Sequence, residues 1–282
     1  MPTSVTIVVE NTVPRSRGLL GEHGLAMLVE RDRDVLLFDT GQGQSTLLHN
    51  LTALNVDPAT VSTVVLSHGH FDHTGGLLQL AKAASGVTLC AHPDAFKPHY
   101  ALQETAGGEV HAAVGLPYTK EQLISEGANI MEVPDFAAIA DGVYVSGMVA
   151  RPEGWKVLDE ALVVKKGEGF VDDPFHDDMS MVLETDSGPV LLLGCAHAGL
   201  EAIFTHMSNR GGWKTFHAVI GGTHLIAAKS PDDYANAVRL FDKYEVSLVM
   251  ACHCTGEIAG RYLAQALGDR YLTGHVGRKL TF

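Results

Sequence analysis

The stretch His68-Gly69-His70-Phe71-Asp72-His73 gathers three imidazoles and a carboxylate into six consecutive residues. Two histidines at i and i+2 of an extended loop can face one cavity. The Asp and the His beyond the turn add a second pair of donors. Neutral imidazole with carboxylate is a ligand set for zinc, ferrous iron or manganese. Gly69 leaves the loop uncrowded, and Gly75-Gly76 lets the following helix begin close to it. The chain has 15 histidines, and their clustering at strand ends directs attention to His197, His224 and His253. His224, after the strand-like run 216–220, is placed to bind substrate, donate a proton or ligate metal. Glu22 and His23 precede a strand and are candidates for the rim of a substrate pocket.

The elements that must position these residues follow from hydrophobic spacing. Strand-like runs at 5–9, 25–30 and 34–38 open the chain, and 45–55 reads as a helix with Leu47, Leu48, Leu51 and Leu54 on one face. A strand at 62–66 leads into the histidine loop, then a helix at 76–84, a strand at 87–91 and a short helix near 94–100. Residues 101–177 read as an irregular, Gly- and Pro-rich cover over the site, with strands at 130–133, 142–146 and 161–164. Its aromatics Phe136, Tyr144, Trp155, Phe170 and Phe175, with Met148, are expected to wall the pocket, Trp155 as an exposed contact. Alternation then resumes: strands 181–184 and 190–193, helix 199–209, strand 216–220, helix 231–244, strand 246–250, helix 257–267 and strand 279–282. This pattern predicts an α/β single domain over 1–282, two packed sheets with helices outside, each half of the chain supplying one sheet.

With 282 residues, 46% of them hydrophobic, the chain can bury a full core without disulfide staples. The net charge of −13 argues against nucleic-acid and anionic-membrane partners, which need a basic field. No apolar run is long enough to span a bilayer, and the first residues carry no signal-peptide pattern. Four cysteines, two in Cys252-His253-Cys254, do not form an oxidative framework. The expectation is a cytoplasmic enzyme acting on a small molecule, with a homo-oligomer compatible with the sequence.

The His68, His70, Asp72, His73 pattern resembles the hallmark loop of the metallo-β-lactamase-fold superfamily. Asp39, in Leu36-Leu37-Phe38-Asp39-Thr40-Gly41, resembles the family's aspartate before the first helix. Glu22-His23-Gly24-Leu25, Gly194-Cys195-Ala196-His197, Gly221-Gly222-Thr223-His224-Leu225 and His253-Cys254-Thr255-Gly256 are similar to the subgroup named for an archaeal dihydropterin–ribofuranosylaminobenzene-phosphate synthase. The resemblance implies an αββα sandwich, two mixed sheets with helices on the outer faces and one or two divalent metals at one edge. It assigns His68 and His70 to one metal, Asp72 and His73 to the other, and Asp39 to orienting a ligand or the loop from behind. On that frame His197 completes the first ligand set and His253 the second. The chain departs from the family pattern where Gly194-Cys195 stands in place of Gly-Asp. A bridging carboxylate is therefore absent, or comes from Asp178, or is replaced by Cys195 as a thiolate. Cys252 and Cys254 are expected to pack in the interior.

The chemistry implied is hydrolysis of an ester, lactone, thioester or phosphoester by metal-bound hydroxide, with Asp72 essential and zinc the first choice of metal. The alternatives are a metal-dependent transferase joining a pterin diphosphate to a ribofuranosyl-aminobenzene phosphate, and a non-catalytic metal-binding sensor. No Gly-x-Ser-x-Gly elbow offers a serine nucleophile.

Overall fold

The computed structural model describes residues 2–15, 18–32 and 34–282. Two seven-stranded sheets organise the chain. In the first, Thr3–Val9, Ala26–Arg31 and Asp34–Phe38 form an antiparallel meander. Thr63–Val65, Thr88–Ala91 and Asn129–Glu132 then add in parallel. In the second, Ala137–Ala140, Val143–Val145, Ser180–Thr185 and Gly188–Leu193 are antiparallel. Ala218–Gly221, Leu248–Ala251 and Tyr271–Thr273 continue it in parallel. Parallel neighbours need crossovers, supplied in this sheet by helices Leu200–Gly211, Pro231–Lys243 and Glu257–Leu267.

Strand alternation explains why the sheets stack. Ile7, Met27, Val29, Leu36 and Phe38 point inward and meet Met181, Leu183, Val190, Leu192, Ile220 and Met250 in the central core. Their neighbours Val8, Leu28 and Leu37 face the helices outside the first sheet. Val182, Leu191 and Leu193 face those outside the second. A strand buried on both faces reads as a continuous apolar run, as these do. The result is the αββα sandwich. No helix among the described residues is long and apolar enough to cross a membrane.

Three expectations need correction. The halves do not each keep to one sheet, because Lys279–Thr281 pairs antiparallel with Thr3–Val9 at the edge of the first. Residues 94–100 hold only a 3₁₀ turn, Pro93–Phe96, and Tyr100 opens a strand. Pro98 explains this, since it forces Lys97 into the extended region, where it sits at φ −82°, ψ 156°. The middle segment is more regular than expected: besides strands near 130–133, 142–146 and 161–164, hairpins Tyr100–Thr105/Gly108–Ala113 and Leu162–Lys166/Gly169–Asp172 join into a four-stranded sheet.

Candidate metal centre

The site sits where strands of both sheets end. Asp39 follows Asp34–Phe38, and Ser67–His73 follows Thr63–Val65. Cys195–His197 follows Gly188–Leu193, His224 follows Ala218–Gly221, and His253 follows Leu248–Ala251. Ligands of open α/β sheets gather at the carboxyl ends of strands for this reason: the loops there converge. Two glycines allow the approach. A Cβ on Gly75 would lie 1.8 Å from the Gln42 carbonyl oxygen, and one on Gly194 would lie 2.1 Å from Ser67 Oγ.

His68, His70 and His197 form the first cluster, with ligand atoms within 4.8 Å of one another. The Nε2 atoms of all three are buried and have no hydrogen-bond partner. Burial pushes His68 and His197 well below the usual imidazole range and brings His70 down to about 3. All three are therefore neutral near pH 7, the form that ligates metal. Three orphaned buried nitrogens aimed together would be costly unless a cation satisfies them. Phe175 lies flat on His197, with ring centroids 4.1 Å apart and planes at 5°.

The second cluster is charged. Asp72 Oδ2 lies 3.3 Å from His253 Nε2, 3.6 Å from His73 Nε2 and 3.2 Å from His23 Nε2. Burial opposes ionisation of Asp72, but His73, His23 and His253 hold its carboxyl well below the ordinary range. Burial likewise opposes a charge on His73, yet Asp72 and Asp39 raise it to about 9. His73 Nε2 and His253 Nε2 stand 3.2 Å apart.

Supporting side chains fix these rings. Asp39 Oδ2 accepts from His73 Nδ1 at 2.7 Å and from Ser67 Oγ at 2.7 Å, while Oδ1 accepts from the Ser67 amide. Ser67 Oγ in turn pairs with His68 Nδ1 at 2.8 Å. One buried aspartate thus turns the Nε2 atoms of two histidines toward the centre, the arrangement that orients metal-binding imidazoles. Glu10, unflagged in the sequence, accepts the His253 amide at 2.8 Å, and Asn11 Oδ1 meets its Nδ1 at 3.2 Å. The only hint of either was a polar pair ending the first apolar strand.

Cys195 stands between the clusters. Its Sγ is 3.2 Å from His73 Nε2 and groups with His68, with His197 and His224, and with His253 and Cys254. Cys252 packs in the central core as expected, but Cys254 does not: it faces Cys195 and accepts the His224 amide at 3.3 Å. His224 is buried with both ring nitrogens lacking hydrogen bonds, and its Nε2 lies 3.6 Å from Asp159 Oδ2. Burial opposes its charge, but Asp159 and Cys254 lift it to about 10. Asp159 had no sequence signal of its own.

The remaining candidates divide. His23 lies at the rim, 58% exposed, in contact with Asp72. Glu22 is turned away from it, and Oε1 accepts the amides of Gln42 and Gly43. Asp178 Oδ2 accepts the Ala198 amide at 2.8 Å, so it braces the turn carrying His197. Of the cover aromatics, Phe175 faces the centre. Trp155 is half-buried and donates Nε1–H to the Ala198 carbonyl. Phe136 and Tyr144 pack instead around Trp213, and Phe170 stacks on His111. Asp39, Phe175, Ala196, His224 and His253 all adopt left-handed backbone, with φ between 48° and 64°.

A family model of the metallo-β-lactamase superfamily matches residues 20–253. The chain belongs to this superfamily. Among members of it, a structure described as Tm1679, a metal-dependent hydrolase of the β-lactamase superfamily, superposes with a TM-score of 0.83. It is 26% identical, over 99% of this chain and 98% of that one. The 7,8-dihydropterin-6-methyl-4-(β-D-ribofuranosyl)-aminobenzene-5'-phosphate synthase of Methanocaldococcus jannaschii is 27% identical over 93% of this chain and 90% of its own length. An uncharacterised protein of the same organism is 30% identical over 97% of this chain and 98% of its own. For this superfamily member, the donor set of the two clusters fits divalent metal.

Proposed function

We propose that the protein is a metal-dependent hydrolase of a small-molecule ester, lactone, thioester or phosphoester. The observation that carries this reading is the trio of buried, unpartnered nitrogens on His68, His70 and His197 beside the Asp72–His73–His253 cluster. His68, His70 and His197 would hold one divalent ion; Asp72, His73 and His253 would hold another, with Cys195 in reach of both. Bound there, such ions supply an acidic water as nucleophile and polarise the substrate's carbonyl or phosphoryl oxygen.

The chain's own residues supply the rest. Asp39 and Ser67 keep His68 and His73 in the ligating orientation. His224, held protonated beside Asp159, is positioned to donate a proton to the leaving group. Phe175 closes one side of His197 to water.

A second reading, a metal-dependent transferase, is favoured by the archaeal synthase relative. The two separate on products. Metal-loaded protein is assayed against a panel of lactones, thioesters and phosphodiesters, and against a pterin diphosphate with an aminobenzene riboside phosphate. Chelator-sensitive cleavage with water supports the hydrolase; diphosphate release that depends on both partners supports the transferase. His224→Ala is expected to lower kcat by about 10²–10⁴-fold with metal content unchanged. An unaltered rate would remove His224 as proton donor.

A further inference from the structure

Three consecutive residues of the segment before the strand Ser180–Thr185 touch both metal loops. Asp177 Oδ2 accepts the amide of Gly69, the residue between His68 and His70, at 2.8 Å. Asp178 Oδ2 accepts the amide of Ala198, the residue after His197, at 2.8 Å. The Met179 amide donates to the Ser67 carbonyl at 2.6 Å. The first loop leaves one sheet and the second leaves the other. We infer that Asp177 and Asp178 are positioning residues that lock the His68/His70 loop to the His197 loop, and so set the metal affinity of that half of the centre. This rests on the metal reading above.

The neighbourhood is built to hold the pair still. Asp177 and Asp178 are 1% exposed, and each leaves its Oδ1 buried without a partner. Each carboxyl meets its loop through one oxygen that accepts a backbone amide, a contact that an asparagine oxygen can also make. Balancing charge lies close. His99 Nε2 is 3.5 Å from Asp177 Oδ2, and His99 Nδ1 is clasped by Asp173 at 2.7 Å. Half-buried Arg151 donates to the carbonyls of Val149, Pro174 and Phe175, and its guanidinium lies 4.8 Å over the Trp155 ring. Trp155 holds the Ala198 carbonyl at 2.8 Å, while Asp178 holds its amide. Ala198, the residue after His197, is thus held at its amide by Asp178 and at its carbonyl by Trp155, while Phe175, three residues before Asp178, lies on the His197 ring.

The test measures zinc affinity of the full chain by competition with a chromophoric chelator, with melting followed in parallel. A His253→Ala background disables the second half, so the first is read alone. There, Asp177→Ala and Asp178→Ala are each expected to weaken zinc about 10- to 100-fold. Asp177→Asn and Asp178→Asn, which keep an accepting oxygen, should stay within about threefold. In a His197→Ala background the same alanines should leave the second half's affinity unchanged. Folded alanine variants with undiminished affinity would overturn the assignment, as would asparagine variants that fail to rescue. If the alanine variants do not fold, Trp155→Phe, which frees the Ala198 carbonyl, takes their place: weaker zinc binding supports the role and unchanged binding overturns it. Protein that takes up no zinc in either background would sink the metal reading itself instead.

Discussion

On one side of Cys195, His68, His70 and His197 turn three neutral, unpartnered nitrogens inward. On the other, Asp72, His73, His253 and His23 already hold one another in a network of charge. The first half lacks a partner without a cation. The second has a substitute, a proton on His73. The difference teaches that one centre can be prepared in two ways: by burial, which keeps donors deprotonated, and by a carboxylate pair, which attracts cations of either kind, proton or metal.

The largest way to break this contrast is His197→Ala. It should empty the first half while the second keeps its ion, seen as metal content per chain falling by half. Turnover should drop at least about a thousandfold, because metal polarisation is worth several kcal/mol. Loss of both ions together would show that the halves are not independent.

A finer cut uses protons. Metal at the second half must expel the proton that His73 holds up to about pH 9. Its affinity should therefore rise about tenfold per pH unit from pH 7 toward 9, whereas the half containing His70, down at about 3, should stay flat. Calorimetry in buffers of different protonation enthalpy measures the proton released by each half.

The smallest effect is on stability of metal-free protein. His68, His70 and His197 take up protons in the unfolded chain near pH 6.5 but resist them when folded, so stability falls as pH drops below that value. His73, His99 and His224 are raised to about 9, 9 and 10, so the stability they contribute is present below pH 6.5 and fades as pH climbs through those values. Each group contributes a slope of at most about 1.4 kcal/mol per pH unit. Melting temperature should peak near pH 6.5, and a profile rising steadily to pH 9 would contradict these assignments.

What could be read from the sequence was local. The apolar strands and the His68–His73 loop carry their meaning within a few residues, and His197, His224 and His253 stand out as histidines at strand ends. Glu10 could not be read this way: it acts on His253 across 243 positions, and only folding makes them neighbours. Asp159 carries no pattern of its own for the same reason, and Asp177 is one of several acidic residues between 172 and 178. The hairpins of the middle segment were missed because Tyr100–Thr105 and Gly108–Ala113 are half-buried or exposed throughout, so they lack the alternation that marks a strand packed on a core.

The left-handed backbone at Asp39, Phe175, Ala196, His224 and His253 carries a last consequence. Such conformations cost non-glycine residues on the order of 1–3 kcal/mol each, and they persist only where the surroundings over-determine them. The walls of this centre therefore store backbone strain that their buried surroundings hold in place. A cation bound there would stabilise the native state over the unfolded chain, so the same ion that serves chemistry would also help hold those turns in place.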